Sequence, residues 1–182
     1  MSSAVLLLTG AVGAGKSDAS FRVFGRLWQS GTAAARLDLD DLGMCHPAPA
    51  DDPDNHRVKA AVMGAAWSVY RSHGARLLVL AGGVLNEAEL ALYRAQVPDE
   101  SWTVVRLRLR DDAVRRSRIL DRGSQLGMTS RETSFWIKVG GEEEQALEAQ
   151  SFCDHVIDTE ALDREAVVDQ VLATVGWDRL SG

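Results

Sequence analysis

The sequence is poor in several features that would have placed it at once. Only two of its 182 residues are cysteines, Cys45 and Cys153. They stand far apart without any metal-ligand spacing, so neither a disulfide framework nor a zinc cage is expected, and two free thiols suit a reducing compartment. No apolar run approaches a membrane span, and Met1-Ser2-Ser3 lacks the charged start of a signal peptide, so a cytoplasmic protein with no membrane partner is expected. Positive charge is in deficit: 20 Lys and Arg stand against 26 Asp and Glu, a formal net charge of -6. That balance disfavours a protein built to grip nucleic acid or an anionic membrane and favours small-molecule partners. There is no internal repeat and no low-complexity tract, and the dense charge run at 51–54 reads as a solvated turn. What remains is ordinary, with 46% hydrophobic and 25% charged residues. The length suits one domain spanning 1–182.

Five short runs rich in Val, Leu or Ile are expected as strands: Ala4 to Thr9, Ala35 to Leu39, Arg76 to Ala81, Trp102 to Leu109 and His155 to Ile157. Helical spacing separates them. Phe21, Phe24 and Trp28 form one apolar stripe, and Val58, Val62, Ala65, Ala66 and Val69 form another that ends at Gly74. Further helices are expected at about 86–96, 112–122, 135–150 and 163–175. Strands alternating with helices in this way imply parallel strands with right-handed crossovers, hence an α/β domain of three layers. The polar, glycine-bearing stretch from Arg122 to Ser134 departs from the alternation and is expected to be a flap, with Thr129 and Glu132 forming a possible capping box for the helix that follows.

The segment "GAVGAGKS" matches G-x-x-x-x-G-K-[ST] at Gly10, Gly15, Lys16 and Ser17, between a strand and an amphipathic helix. Gly10 and Gly15 allow backbone angles closed to other residues, so successive N–H groups can turn inward around phosphate oxygens. The helix that follows adds its positive end. Lys16 can reach the outer phosphates, and the Ser17 hydroxyl can take a place on magnesium. A nucleoside triphosphate is the expected ligand.

Two absences narrow the class of nucleotide user. There is no Asn-Lys-x-Asp base reader of a GTPase, and the run "RLLVLAGGV" ends in Ala81-Gly82-Gly83, where a motor ATPase would carry an acid. What the chain offers instead is "RLDLDDLG", with Asp38 and Asp40 at the carboxyl end of the second strand, the edge where open α/β sheets collect ligands. If the strand continues that far, alternation puts both on one side. One carboxylate could then accept the proton of an attacking hydroxyl while the other orients the acceptor or holds a magnesium-bound water. Downstream, Arg118 and Arg122 share a helix face in "DDAVRRSRILDRG" and could neutralise charge on the phosphates.

The P-loop, the "LDLDD" strand end, the "RILDR" run before the flap and the late "HVIDTEALDREAVVDQVL" together resemble the small P-loop kinases. That group includes adenylylsulfate kinase, gluconate kinase, shikimate kinase, chloramphenicol phosphotransferase and the kinase domain of polynucleotide kinases. The resemblance runs through nearly the whole chain. It implies a P-loop NTPase core with a five-stranded parallel sheet of order 2-3-1-4-5, ATP with Mg2+ and a LID-type flap over the phosphates. It also implies phosphate cradling by Gly10, Ala11, Val12, Gly13, Ala14, Gly15, Lys16 and Ser17. Asp40 would be the catalytic carboxylate with Asp38 beside it, Ser17 and Asp40 the metal-side residues, Arg118 and Arg122 the flap arginines, and the turn at Asp158, Thr159 and Glu160 the neighbour of the adenine.

One departure stands out. Where adenylylsulfate and polynucleotide kinases look to have an arginine for an anionic acceptor, this chain has Gly43, followed by the acids Asp51, Asp52 and Asp54. A neutral or cationic hydroxyl compound is therefore the favoured acceptor. His46 and His56 could contact it. Arg106, Arg108 and Arg110 alternate along the fourth strand, which is odd for a strand buried on both faces, and only Arg110 lies near the ligand edge. The leading expectation is an ATP-dependent kinase acting on a small hydroxyl acceptor. The rivals are a nucleotide-dependent regulatory module that transfers nothing to a small molecule and a polynucleotide 5'-kinase, the latter at odds with Gly43 and the net acidity.

Overall fold

The structure is a computed structural model that describes residues 3–178. Its strands are β1 (Ala4–Thr9), β2 (Ala34–Asp38), β3 (Leu77–Ala81), β4 (Ser101–Arg108) and β5 (His155–Asp158). They form one parallel sheet in the order β2-β3-β1-β4-β5, as the resemblance implied. β1 and β3 lie inside the sheet with almost every side chain buried, which is why they read as continuous apolar runs. Alternate residues feed two cores. On one face Leu6, Leu8, Val79, Val105 and Leu107 meet Val23 and Leu27 of α1 (Lys16–Gln29) and Val168 and Val171 of α7 (Arg164–Val175). On the other, Val5, Leu7, Leu78, Leu80 and Val104 meet Met63 and Trp67 of α3 (His56–Ser72) and Leu90 and Tyr93 of α4 (Glu87–Arg94). The layers are three, as expected.

Two helix faces differ from the expected stripes. In α1 the buried face is Ala19, Ser20, Val23 and Leu27, while Phe21 and Trp28 are 66% and 72% exposed. In α3 the buried side chains are His56, Ala60, Met63 and Trp67, and Val62 and Val69 face outward. Both helices carry apolar residues on both sides, so periodicity alone could not say which side meets the sheet.

The stretch expected as a flap, Arg122 to Ser134, lies in a helical hairpin. α5 (Asp112–Leu126) continues past Arg122 and ends at Gly127, which takes the left-handed C-cap conformation. α6 (Ser130–Glu148) then starts at the Thr129/Glu132 capping box, five residues before the expected Phe135. Two features press α6 onto the end of β1. Arg106 of β4, 4% exposed, donates to the Glu144 carboxylate and to the Leu147 carbonyl. This pairing answers the oddity of charged residues on an interior strand, and Arg108 is answered likewise by Asp158 of β5 at 2.6 Å. Gly140 supplies the second feature: a Cβ there would stand 2.8 Å from the Val12 carbonyl oxygen and 3.1 Å from Arg115 Cδ.

Gly140→Ala should therefore destabilise the fold by about 1–3 kcal/mol through overpacking. Gly141→Ala, where the added carbon meets nothing within 4 Å, should instead gain about 0.5–1 kcal/mol from helix propensity. Denaturant unfolding of the two variants checks this, and equal effects would show that α6 does not lean on the loop. Glu144→Ala removes the more buried of the two carboxylates on Arg106, leaving Glu148 at 3.2 Å, and should cost about 1–3 kcal/mol in the same measurement.

Candidate functional site

The loop between β1 and α1 is the centre of the site. Gly10 (φ 148) and Gly15 (φ 95) hold backbone angles that side chains avoid. A Cβ at Gly10 would also lie 2.3 Å from the Leu107 carbonyl oxygen. α1 has no side-chain N-cap, so its first amides are left to whatever the loop holds. Lys16 lies beneath the loop, 8% exposed, with Nζ donating to the Ala11 carbonyl at 3.2 Å. Burial pulls its pKa below the ordinary lysine value, while Asp40, Glu143 and Asp38, in that order, support its charge and Arg122 opposes it.

The strand-end acids sit where expected, but they are not alternate residues of one strand. β2 stops at Asp38, whose carboxylate accepts the Asp40 amide at 3.3 Å and so caps α2 (Leu39–Leu42), a single helical turn. Arg36 donates to Asp38 at 2.9 Å and to Ser20 Oγ at 2.8 Å, tying β2 to α1. Asp38 is thereby buried and engaged. Asp40 is exposed on α2, and its carboxylate is 3.7 Å from Lys59 Nζ. Lys59 lies against Gly43, where an added Cβ would come within 2.3 Å of Lys59 Cε. The small residue at 43 is thus filled from outside by a lysine stem, which sequence reasoning missed.

The remaining candidates divide. Arg122 comes close enough to act on Lys16. Arg118 points to the β5–α7 turn, donating to the Thr159 carbonyl at 2.8 Å and to its hydroxyl at 3.3 Å; burial lowers its pKa. Thr159 is 1% exposed, whereas Asp158 spends its carboxylate on Arg108 at the sheet edge, away from the P-loop cluster. Arg110 pairs with Glu148 at 3.4 Å. Of the acids following Gly43, Asp51 makes a two-point pair with Arg57, and Asp52 accepts the His56 and Arg57 amides at the start of α3. His56 is buried, with Nδ1 2.9 Å from Tyr93 Oη, while His46 is exposed. Both cysteines are free.

One acid at the site was not anticipated. Glu143 of α6 accepts the Val12 amide at 2.7 Å across 131 residues of sequence. Burial pushes its carboxyl above the ordinary range; Lys16 and the Val12 amide pull it down, and Asp40 and Asp54 add to the push. The only trace of it in the sequence is a Gly140-Gly141 step inside a helix, three residues before the acid.

The donor set fits a triphosphate with magnesium. Among the described residues no three His, Cys, Asp or Glu side chains gather as a metal cage. A P-loop cation needs none, because it takes phosphate oxygens and the Ser/Thr hydroxyl, here Ser17, with an acid such as Asp40 or Asp38 at one remove. Among the described residues no helix is long and apolar enough to cross a membrane.

No family model and no curated protein matches this sequence. Solved structures do resemble the fold. The tunicamycin resistance protein of Deinococcus radiodurans superposes with a TM-score of 0.66 at 19% identity, over 96% of each chain. A gluconokinase from Sinorhizobium meliloti 1021 gives 0.63 at 18%, over 98% of this chain and 93% of that one. The Mycobacterium tuberculosis APS kinase CysC, solved with AMPPNP and APS, gives 0.59 at 16%, over 98% of both. This chain has the fold of the small P-loop kinases.

Proposed function

We propose that the protein is an ATP-dependent phosphotransferase that moves the γ-phosphoryl group to a hydroxyl of a small molecule. The carrying observation is the built loop: Gly10 and Gly15 hold positive φ angles, α1 starts without a side-chain cap, and Lys16 lies buried beneath the loop with Asp40 among the charges around it. The loop amides and the start of α1 cradle the phosphates, and Lys16 draws charge from the outer ones. Asp40 takes the proton of the acceptor hydroxyl as its oxygen bonds to the γ-phosphorus. The bond from that phosphorus to the β–γ bridging oxygen breaks, and ADP leaves with the electron pair. Asp38, fixed by Arg36, holds α2 and so holds Asp40 in place. Magnesium, bound on the Ser17 side, would neutralise charge on the phosphates. Arg118 and Thr159 form the wall expected beside the adenine, and Arg122 faces the phosphates.

The resemblance in fold to kinases of gluconate and APS supports the reaction class. A neutral or cationic acceptor is favoured because Asp40 and Asp54 both add negative charge around Glu143, with Lys59 as the cation paired to Asp40. Such a reaction, like the free thiols, belongs in the ATP-rich, reducing cytoplasm.

A panel of hydroxyl compounds, neutral, cationic and anionic, should contain members that accelerate ADP release from MgATP. If no small molecule raises the basal rate and a protein partner does, the regulatory reading replaces this one; labelled oligonucleotides test the third. With an accelerating acceptor, Lys16→Ala should lower turnover about 10²–10³-fold. Asp40→Asn should lower kcat about 10²–10⁴-fold while sparing ATP affinity. Full transfer by Asp40→Asn would remove it from the role of base.

A further inference from the structure

Glu143 bridges two elements that the chemistry of the site leaves facing each other. One carboxylate oxygen, Oε2, accepts the Val12 amide of the P-loop at 2.7 Å. The other, Oε1, is turned to the end of β3, 3.9 Å from where a Cβ of Gly83 would be. Its charge supports Lys16, second only to Asp40. A loop amide and the P-loop lysine are the kinds of donor that a terminal phosphoryl group takes, and a hydrogen bond to an ionised acceptor is the strong kind. The placement is built, since Gly140 permits the approach of α6 and Glu144, the next residue, is anchored on Arg106.

We propose that the Glu143 carboxylate competes with the terminal phosphoryl group for the Val12 amide and Lys16 and so sets the relative affinity for nucleoside triphosphate and diphosphate. This rests on the nucleotide-binding reading above. A diphosphate ends short of the carboxylate. A triphosphate brings like charge to the same donors, so the Glu143 side chain must swing away from the loop before the terminal group is seated, while Arg106 keeps α6 in place. Discrimination of this kind is a difference of affinities produced by a repulsive element, and the ligand shifts the Glu143 side chain only through that difference.

Binding of AMPPNP and of ADP, each with magnesium, to the intact chain tests this by calorimetry. Glu143→Gln keeps an oxygen for the Val12 amide and removes only the charge. It should bind AMPPNP about tenfold more tightly, the order expected for one partly screened like charge, with ADP affinity changed less than about twofold. Glu142→Gln, an exposed neighbour paired with Lys138, should change neither. Tightening of both nucleotides, of neither, or an equal effect of Glu142→Gln overturns the proposal. Hydrogen exchange on the unaltered protein needs no variant: AMPPNP, and not ADP, should release the Glu143 contact and so change protection across residues 139–147, and identical profiles overturn the proposal. Wild-type protein that binds neither nucleotide would instead sink the nucleotide reading, and this inference with it.

Discussion

A buried ammonium group sets the terms for the rest of this molecule. Lys16 must lie under the loop to reach phosphates, and there burial disfavours its charged form while nearby negative charge supports it. The support comes from separate pieces of chain: Asp38 at the end of β2, Asp40 on α2 and Glu143 on α6. Each needs its own scaffold. Arg36 pins Asp38, the Asp38 cap starts the turn that carries Asp40, and the Arg106–Glu144 pair holds α6 where Glu143 meets the loop. Placing one cation thus fixes the relation of helices that share no sequence neighbourhood.

The arginines of β4 belong to the same economy. An interior strand of a parallel sheet ordinarily has no use for charge. Here α6 turns Glu144 and Leu147 inward, and the buried Arg106 finds a carboxylate and a carbonyl there. Pairs of this kind contribute little net stability compared with apolar packing, but they admit few alternative arrangements. A helix that must hold Glu143 to a 2.7 Å contact gains from such restriction more than from a larger apolar face.

What could be read from the chain follows how local each cause is. The strands were legible nearly to the residue, because burial on both faces writes an unbroken apolar run, as in Leu77–Ala81. The P-loop was legible because its amides, glycines and lysine are consecutive. Asp38 and Asp40 were legible as a location but not as a shape: the short Asp side chain turned the strand into a helical turn one residue early. The flap was half legible, since the capping box was visible but its power to start α6 five residues sooner was not. The faces of α1 and α3 were misread because both helices are apolar on two sides. Glu143, Lys59 and Arg36 were beyond reach, since each matters through a partner that only the folded sheet brings near, 131 residues away for Glu143.

Glu143 also lies beside the two glycines that follow β3. A side chain at Gly82 would strike Leu39, with its Cβ 2.7 Å from Leu39 Cβ, and one at Gly83 would enter the space that Glu143 faces. An acid on the strand itself would be a fixed wall, because β3 is paired on both sides. An acid carried by α6 instead reaches the loop on a rotatable side chain that can turn aside while the Arg106–Glu144 pair keeps the helix in place. Carrying the carboxylate on α6 rather than on the sheet keeps a negative charge near Lys16 and lets that charge turn aside when a phosphate brings its own. A P-loop whose neighbouring strand ends in glycine is, on this account, not missing its acid; the acid has been placed where it can yield.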